Sequence, residues 1–169
     1  LAMAPGFALG TPMVMPLLFS GITGGLLFAL ARRVAGGSVA LATWLLWLGT
    51  FGNLRFRASY FSEVTTSLCW LAAWWALLEW RARRDARSMV LLALAVGWCA
   101  VTRPYTAVAL AIPIAGVVGW ELTRRGGWRT LAVGLSTGTL VLVLLPLWSW
   151  GTTGNWRETP LAMYTRQYL

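Results

Sequence analysis

Six apolar segments, separated by short connections that carry arginine, constrain this chain more than any other feature of its sequence. Most are 17–21 residues long, which is the length that an α-helix needs to cross a hydrocarbon core of about 30 Å. Only 11% of the residues are charged, against roughly 25% in soluble domains. The segments cover residues 11–31, 38–54, 60–80, 88–101, 104–122 and 130–150. The pattern predicts an all-α fold, a polytopic membrane helix bundle with about six transmembrane segments.

The whole chain, residues 1–169, is interpreted as a single transmembrane domain. Residues 1–10 show neither the basic start nor the cleavage pattern of a signal peptide, and the first residue is Leu1 rather than Met. We therefore expect the sequence to be an internal fragment of a longer protein.

The cationic residues are all arginines, and they divide unequally between the two sides that alternating helices create. Nine lie in the first, third and fifth connections (residues 32–37, 81–87 and 123–129), and five lie on the opposite side. The positive-inside rule predicts that the richer side is cytoplasmic. Because the arginines lie between apolar segments and form no basic face, the net charge of +9 does not indicate nucleic-acid binding.

Arg103 and Pro104 interrupt residues 88–122, which otherwise carry almost no charge. A single helix through this stretch would put two arginine-rich connections on opposite sides, whereas a hairpin keeps both on one side. Proline disfavours helix at the residue before it, so the break is predicted at Arg103–Pro104. The first arm, residues 88–101, would span only about 21 Å, and Arg103 is then expected to face a polar cavity below the outer interface. The alternative is an arginine at a helix end whose guanidinium extends to the interface.

A second outward-facing cluster lies at residues 54–64. It contains Arg55 and Arg57, followed by Glu63 at the predicted start of a helix. One interpretation is structural, because the helix dipole favours an acid at this position. The functional interpretation puts Glu63 in an outward cavity, paired with an arginine or with substrate hydroxyl groups. Guanidinium donates two parallel hydrogen bonds to phosphate oxygens, so Arg55, Arg57 and Arg103 are candidate phosphate-binding residues.

Several kinds of chemistry are excluded by residues that the sequence does not contain. Without histidine there is no Ser-His-Asp triad and no imidazole metal site. Cys69 and Cys99 have no neighbours at metal-ligand spacing, so they are interpreted as packing residues. No phosphate-binding glycine loop and no dense acidic run is present. No cofactor is predicted, and a requirement for a divalent metal is left open.

Four short stretches, taken in order along the chain, resemble a family of membrane enzymes. They are APGFAL (4–9), ASYFSEV (58–64), GWCAVTRPYTAV (97–108) and TTGNWRETPLAMY (152–164). Together they resemble segments of the bacterial membrane glycosyltransferases of the GT-C fold, relatives of protein O-mannosyltransferase and of the lipid A aminoarabinose transferase.

The resemblance implies a multi-pass protein of the bacterial inner membrane that uses a lipid-linked sugar. Such enzymes move a sugar from a polyprenyl phosphate donor to a lipid, glycan or protein acceptor on the non-cytoplasmic face. In the family, an acid in the first outward loop acts as the base. That loop would precede Leu1, so the catalytic residue is expected upstream and the fragment alone is expected to be inactive. The resemblance carries over Arg103 as a phosphate contact and Glu63 as a polar cavity residue.

The other hypothesis is a non-enzymatic membrane transporter or lipid flippase. Transporters often contain broken helices in paired repeats. The sequence shows one such break, at Arg103–Pro104, and no internal repeat. The expected partners are membrane lipids, a polyprenyl phosphate sugar donor and a lipid, glycan or protein acceptor, with no nucleic acid.

Overall fold

A computed structural model describes residue 6, residues 8–50 and residues 62–156 of the chain. The regular secondary structure in these residues is entirely helical. The helices are α1 (Val14–Ala35), α2 (Gly37–Gly49), α3 (Ser62–Arg83), α4 (Ala86–Thr102), α5 (Pro104–Arg125), α6 (Trp128–Leu142) and α7 (Leu144–Thr153). Helices α6 and α7 follow each other across Val143 as one apolar stretch, Trp128–Thr153. The described part of the chain therefore has six helical segments, and the all-α prediction is confirmed.

The ends of the helices differ from the predicted ends by a few residues. Helix α1, predicted at residues 11–31, lies three to four residues later, and α3 and α5 each end three residues beyond the predicted end. Each extension contains two arginines, whose long side chains can reach the interface from a helix end. Gly36 and Gly126, both with positive φ, follow α1 and α5 and end them, as glycine commonly does. Helix α2, predicted to reach residue 54, ends at Gly49.

Helix α4 corrects the prediction of a short first arm at residues 88–101. It begins at Ala86 and has 17 residues, which gives a length of about 26 Å. The Asp85 side chain caps it by accepting a hydrogen bond from the Ser88 N–H at 3.2 Å. Hydrogen bonding from the Ser88 side chain, with a smaller effect from this N–H, holds the pKa of Asp85 below its ordinary value. Sequence reasoning placed the start too late because it counted only apolar residues. The length of this arm therefore gives no reason to place Arg103 far below the interface.

The predicted break at Arg103–Pro104 is confirmed. Helix α4 ends at Thr102, Arg103 has a non-helical backbone (φ −146°, ψ 85°), and Pro104 is the first residue of α5. The two helices form a hairpin, because Glu121 near the end of α5 contacts Arg84 immediately before α4. The connections that flank the hairpin consequently lie at the same end of the bundle.

Helix α4 occupies the centre of the helix arrangement. It packs against α3, α5 and α6, while α3 also packs against α1, which in turn holds α2. The largest fully buried side chains of the core are Trp80 and Leu77 on α3 and Leu110 on α5. The helix break therefore lies at the end of the most enclosed helix.

Two glycines allow α4 and α6 to approach each other closely. A Cβ atom added at Gly97 on α4 would lie 3.1 Å from Val141 on α6, and one added at Gly134 on α6 would lie 2.7 Å from Met89 on α4. Each helix thus places one side chain against a glycine of the other. Since the contacts advance along both helices in the same direction, α4 and α6 are parallel.

Three helical stretches are long and apolar enough to cross a membrane, judged by length and composition. They are Val14–Ala35, Pro104–Arg125 and Trp128–Thr153. Exposed tryptophans lie near both ends of the long helices, with Trp120 and Trp128 at one end and Trp148 and Trp150 at the other. Indole rings favour the two membrane–water interfaces, so this distribution fits a helix bundle inserted in a bilayer.

The shared end of the arginine-rich connections gives a prediction for thiol labelling in intact cells. In a chain whose buried Cys69 and Cys99 are replaced by alanine, Gly37→Cys and Arg87→Cys should resist an impermeant maleimide, because both positions lie on the predicted cytoplasmic side. Gly151→Cys should react, since it lies near the opposite end and nothing surrounds its Cβ position. Labelling of Gly37→Cys or Arg87→Cys from outside would show that the arginine-rich end faces away from the cytoplasm.

Candidate functional site

Two of the four predicted substrate-binding residues, Arg103 and Glu63, form an ion pair in the structure. Arg103 Nη2 donates a hydrogen bond to Glu63 Oε1, although the residues are 40 positions apart in the chain. Their side chains remain 38% and 35% exposed respectively, so an incoming group has access to the pair. The other two predicted residues, Arg55 and Arg57, lie outside the described residues.

The helices explain why these two side chains meet. Glu63 is in the first turn of α3, where the helix dipole favours a carboxylate. Arg103 separates α4 from α5, and its non-helical backbone directs its side chain away from both helix axes. Its backbone remains hydrogen-bonded, because its N–H donates to the Cys99 carbonyl (2.7 Å) and its carbonyl accepts from the Ala107 N–H (3.0 Å). The break is therefore a well-supported junction that presents a guanidinium group to α3.

The second oxygen of the Glu63 carboxylate has an unusual environment. Oε2 is buried and accepts no hydrogen bond within the described part of the chain. A buried acceptor without a donor costs roughly 1–3 kcal/mol, and more when the group is charged. The site can therefore gain free energy from a ligand hydroxyl or a water molecule that donates to Oε2.

An apolar cavity of about 280 Å³ begins at Pro104, the residue that follows Arg103. Pro104, Ala107 and Val108 contribute one wall from α5, and Ala100 contributes to the wall from α4. Leu145, on α7, lies opposite. A charged pair and an apolar cavity are thus adjacent at this end of the bundle, which is the combination that an amphipathic ligand requires.

The remaining ion pairs of the described chain lie at the opposite end and involve two carboxylates, Glu79 and Glu121. The pairs, with their nitrogen–oxygen distances, are Arg33–Glu79 (2.6 Å), Arg83–Glu79 (3.0 Å), Arg81–Glu121 (3.0 Å), Arg84–Glu121 and Arg125–Glu121 (3.9 Å). Glu79 connects the end of α1 to α3, and Glu121 connects α5 to the end of α3. All three arginine-rich connections consequently meet at one end of the bundle.

Sequence reasoning assigned no role to Glu79 or Glu121. A local signal was present, because each carboxylate is followed four residues later by an arginine, Arg83 or Arg125, and such pairs support a helix. The pairs between helices have no signal in a single sequence, since the partners are 37 to 46 residues apart.

Arg84 has an unusual backbone conformation and contacts two other residues at this end of the bundle. It has φ +56°, a conformation that is uncommon for a residue other than glycine. This backbone geometry places its guanidinium 4.4 Å from the centre of the Trp80 ring and in contact with Glu121. The Trp80 indole N–H in turn donates to Thr130 Oγ1 at 3.1 Å. The start of α6 is thereby attached to α3.

The two charged layers are separated by a distance close to the thickness of a membrane. Glu63 and Arg81 lie 18 residues apart on α3, which corresponds to about 27 Å at 1.5 Å per residue. A bilayer has a hydrocarbon core of about 30 Å. The candidate site and the arginine-rich end therefore lie at positions suited to opposite interfaces.

The described residues contain no group of three or more His, Cys, Asp and Glu side chains that could hold a metal ion. Comparison with protein-family models, curated proteins and solved structures finds no match for the chain.

The carboxylate–arginine contacts predict unequal effects of two matched substitutions on thermal stability. Glu121→Gln should lower the Tm in detergent by roughly 5 °C or more, because several arginines lose a carboxylate whose side chain is only 9% exposed. Glu79→Gln, at a more exposed carboxylate, should lower it by about 2 °C or less. The measurement is circular dichroism during heating. Equal decreases in Tm for the two variants would show that the ion pairs of Glu121 do not stabilise the hairpin more than those of Glu79 stabilise their helices.

Proposed function

We propose that the chain is part of an integral membrane glycosyltransferase of the GT-C type. The enzyme moves a sugar from a polyprenyl phosphate donor to a lipid, glycan or protein acceptor on the non-cytoplasmic face of the bacterial inner membrane. The observation that carries this proposal is the Arg103–Glu63 ion pair at the break between α4 and α5, at the end opposite the arginine-rich turns. No catalytic base is assigned among the described residues.

The proposal includes a multi-pass arrangement in which the six helical segments cross the bilayer. It is supported by the three helices that are long and apolar enough to span a membrane. It is also supported by the separation of the two charged layers and by the exposed tryptophans at both ends. The arginine-rich end is placed in the cytoplasm and the candidate site on the other side.

Arg103 binds the donor phosphate in this mechanism. When the sugar leaves, negative charge increases on the phosphate oxygens, and a nearby guanidinium stabilises that charge more in the transition state than in the ground state. Arginine remains protonated at the edge of a membrane and can bind two oxygens at once. The exposed fraction of its side chain leaves an approach path for the phosphate.

Glu63 and the apolar cavity bind the neutral parts of the donor. Glu63 Oε1 orients the guanidinium, and the buried Oε2 accepts a hydrogen bond from a sugar hydroxyl. The first isoprene units of the carrier lie in the cavity that begins at Pro104. The ion pair and the cavity thus recognise a lipid, a phosphate and a sugar in adjacent positions.

Substitution of Arg103 tests the proposal in membranes that contain the complete product of the gene encoding these residues. Arg103→Ala should reduce sugar transfer from a radiolabelled polyprenyl phosphate donor by roughly 10²-fold. Arg103→Lys should retain part of the activity, because it keeps the charge but loses the planar fork. Arg57→Ala, nearer the surface in the predicted topology, should have a smaller effect.

Two controls separate phosphate binding from a purely structural role. Glu63→Gln removes the charge from the same ion pair, so it should affect folded yield as Arg103→Ala does. Because glutamine keeps one acceptor oxygen and leaves the phosphate contact in place, it should reduce transfer per folded protein less than Arg103→Ala. Arg32→Ala, at the opposite end, should leave transfer unchanged. Wild-type transfer by Arg103→Ala would refute the proposed role of Arg103. Movement of the lipid across the bilayer without transfer would instead identify a flippase.

A further inference from the structure

A second apolar cavity, of about 330 Å³, lies between α4, α5 and α6. Its floor is α4, and its walls include Ala115 on α5 together with Leu135 and Gly138 on α6. Ala115 and Leu135 are exposed, so the cavity opens sideways, toward the surroundings of the bundle. We call it the lateral groove.

The lateral groove spans about half of the membrane and begins at the arginine-rich end. Along α6 its lining residues run from Leu131, in the first turn, to Leu142, a rise of roughly 16 Å. This is close to half of a hydrocarbon core of about 30 Å. The groove therefore has the depth of one leaflet, on the side of the predicted cytoplasm.

The shape of the groove favours a hydrocarbon chain over another helix. Helices α5 and α6 are joined by only Gly126 and Gly127, so the walls converge at the arginine-rich end. A packed helix needs an interaxial distance of 8–10 Å from each neighbour, and this end of the groove is too narrow for it. An acyl chain is much thinner and fits a groove that tapers.

The charges at the narrow end favour an anionic head group. Arg124, Arg125 and Arg129 lie on or beside the turn between α5 and α6, and all three are exposed. Glu121, the nearby acid, already accepts from Arg81 and Arg84. Within the described residues, Arg125 makes only a long contact with Glu121, at 3.9 Å, and its side chain is 70% exposed. The mouth of the groove consequently has an excess of positive charge.

We propose that the lateral groove binds one anionic phospholipid of the leaflet at the arginine-rich end, with an acyl chain between α5 and α6 and its phosphate at Arg125, which continues the groove-lining face of α5 beyond Val118. Basic pockets between transmembrane helices on the cytoplasmic side are suited to acidic head groups, and guanidinium is the preferred partner of phosphate. The groove continues into the cavity that begins at Pro104, because both are lined by Val96, Ala100, Ala111 and Leu142. The head-group site lies at the opposite end from Arg103, and it rests on the proposed membrane arrangement but not on the proposed transfer reaction.

Native mass spectrometry of the purified chain in detergent tests the proposal by titration with phosphatidylglycerol and with phosphatidylcholine of the same acyl chains. The chain should bind phosphatidylglycerol more tightly. Arg125→Gln should weaken that binding about fivefold, as expected for one arginine near an acidic head group. Arg32→Gln, the matched loss of charge on α1, should have no effect.

A second pair of variants tests the acyl chain in the groove. Gly138→Leu fills the lateral groove, and Gly21→Leu adds the same side chain on the exposed face of α1. A Cβ atom at either glycine meets no atom within 4 Å, so both variants should fold, as a measured Tm can verify. Gly138→Leu should abolish lipid retention, whereas Gly21→Leu should retain it.

Several results would overturn the proposal. Equal affinity for the two lipids would exclude the anionic head group, and wild-type retention by Gly138→Leu would exclude the groove. Loss of binding in Arg103→Gln but not in Arg125→Gln would show that lipid enters from the other end of the bundle. A wild-type dimer that Gly138→Leu converts to monomer would show that a second copy of the chain fills the groove.

Discussion

The ion pairs of Glu121 are the contacts on which the arrangement of the other helices depends. Arg103 and Pro104 interrupt the helix, but an interruption alone does not determine where α5 goes. Glu121, one turn from the end of α5, accepts hydrogen bonds from Arg81 and Arg84 at the end of α3. These contacts bring α5 back to the end at which α4 begins. Because the hairpin closes there, Arg103 lies at the other end, within reach of Glu63 at the start of α3.

The same end of the bundle also shows how charge is accommodated beside apolar helices. Only three acids, Glu79, Asp85 and Glu121, lie among the nine arginines at this end. Each acid makes a defined structural contact. Asp85 caps α4, while the two glutamates join helices. Unpaired arginines can extend toward lipid phosphates, whereas a buried carboxylate without a cation would be costly. This asymmetry explains why every acid at this end has an assigned partner.

The sequence was sufficient to predict the helices and the break, because both follow from local properties. Apolar length predicts a helix, and proline predicts its interruption before Pro104. The start of α4 was placed wrongly, since the Asp85 cap depends on a side-chain hydrogen bond rather than on hydropathy. Arg103 and Glu63 were named as candidates, but their pairing is a contact across 40 residues, which one sequence does not encode in any local pattern. The same holds for Glu121, whose partners across the bundle decide its role.

The reciprocal packing of Gly97 against Val141 and of Gly134 against Met89 has a mechanical consequence. Two such interlocking contacts, about 12 Å apart along α4, prevent α6 from sliding or rolling on it. Helix α5 has no comparable lock, and Pro113 within it removes one backbone hydrogen bond from its middle. Bending of α5 is therefore easier than displacement of α6. The space between them thus has one wall held by reciprocal packing and one wall interrupted by a proline.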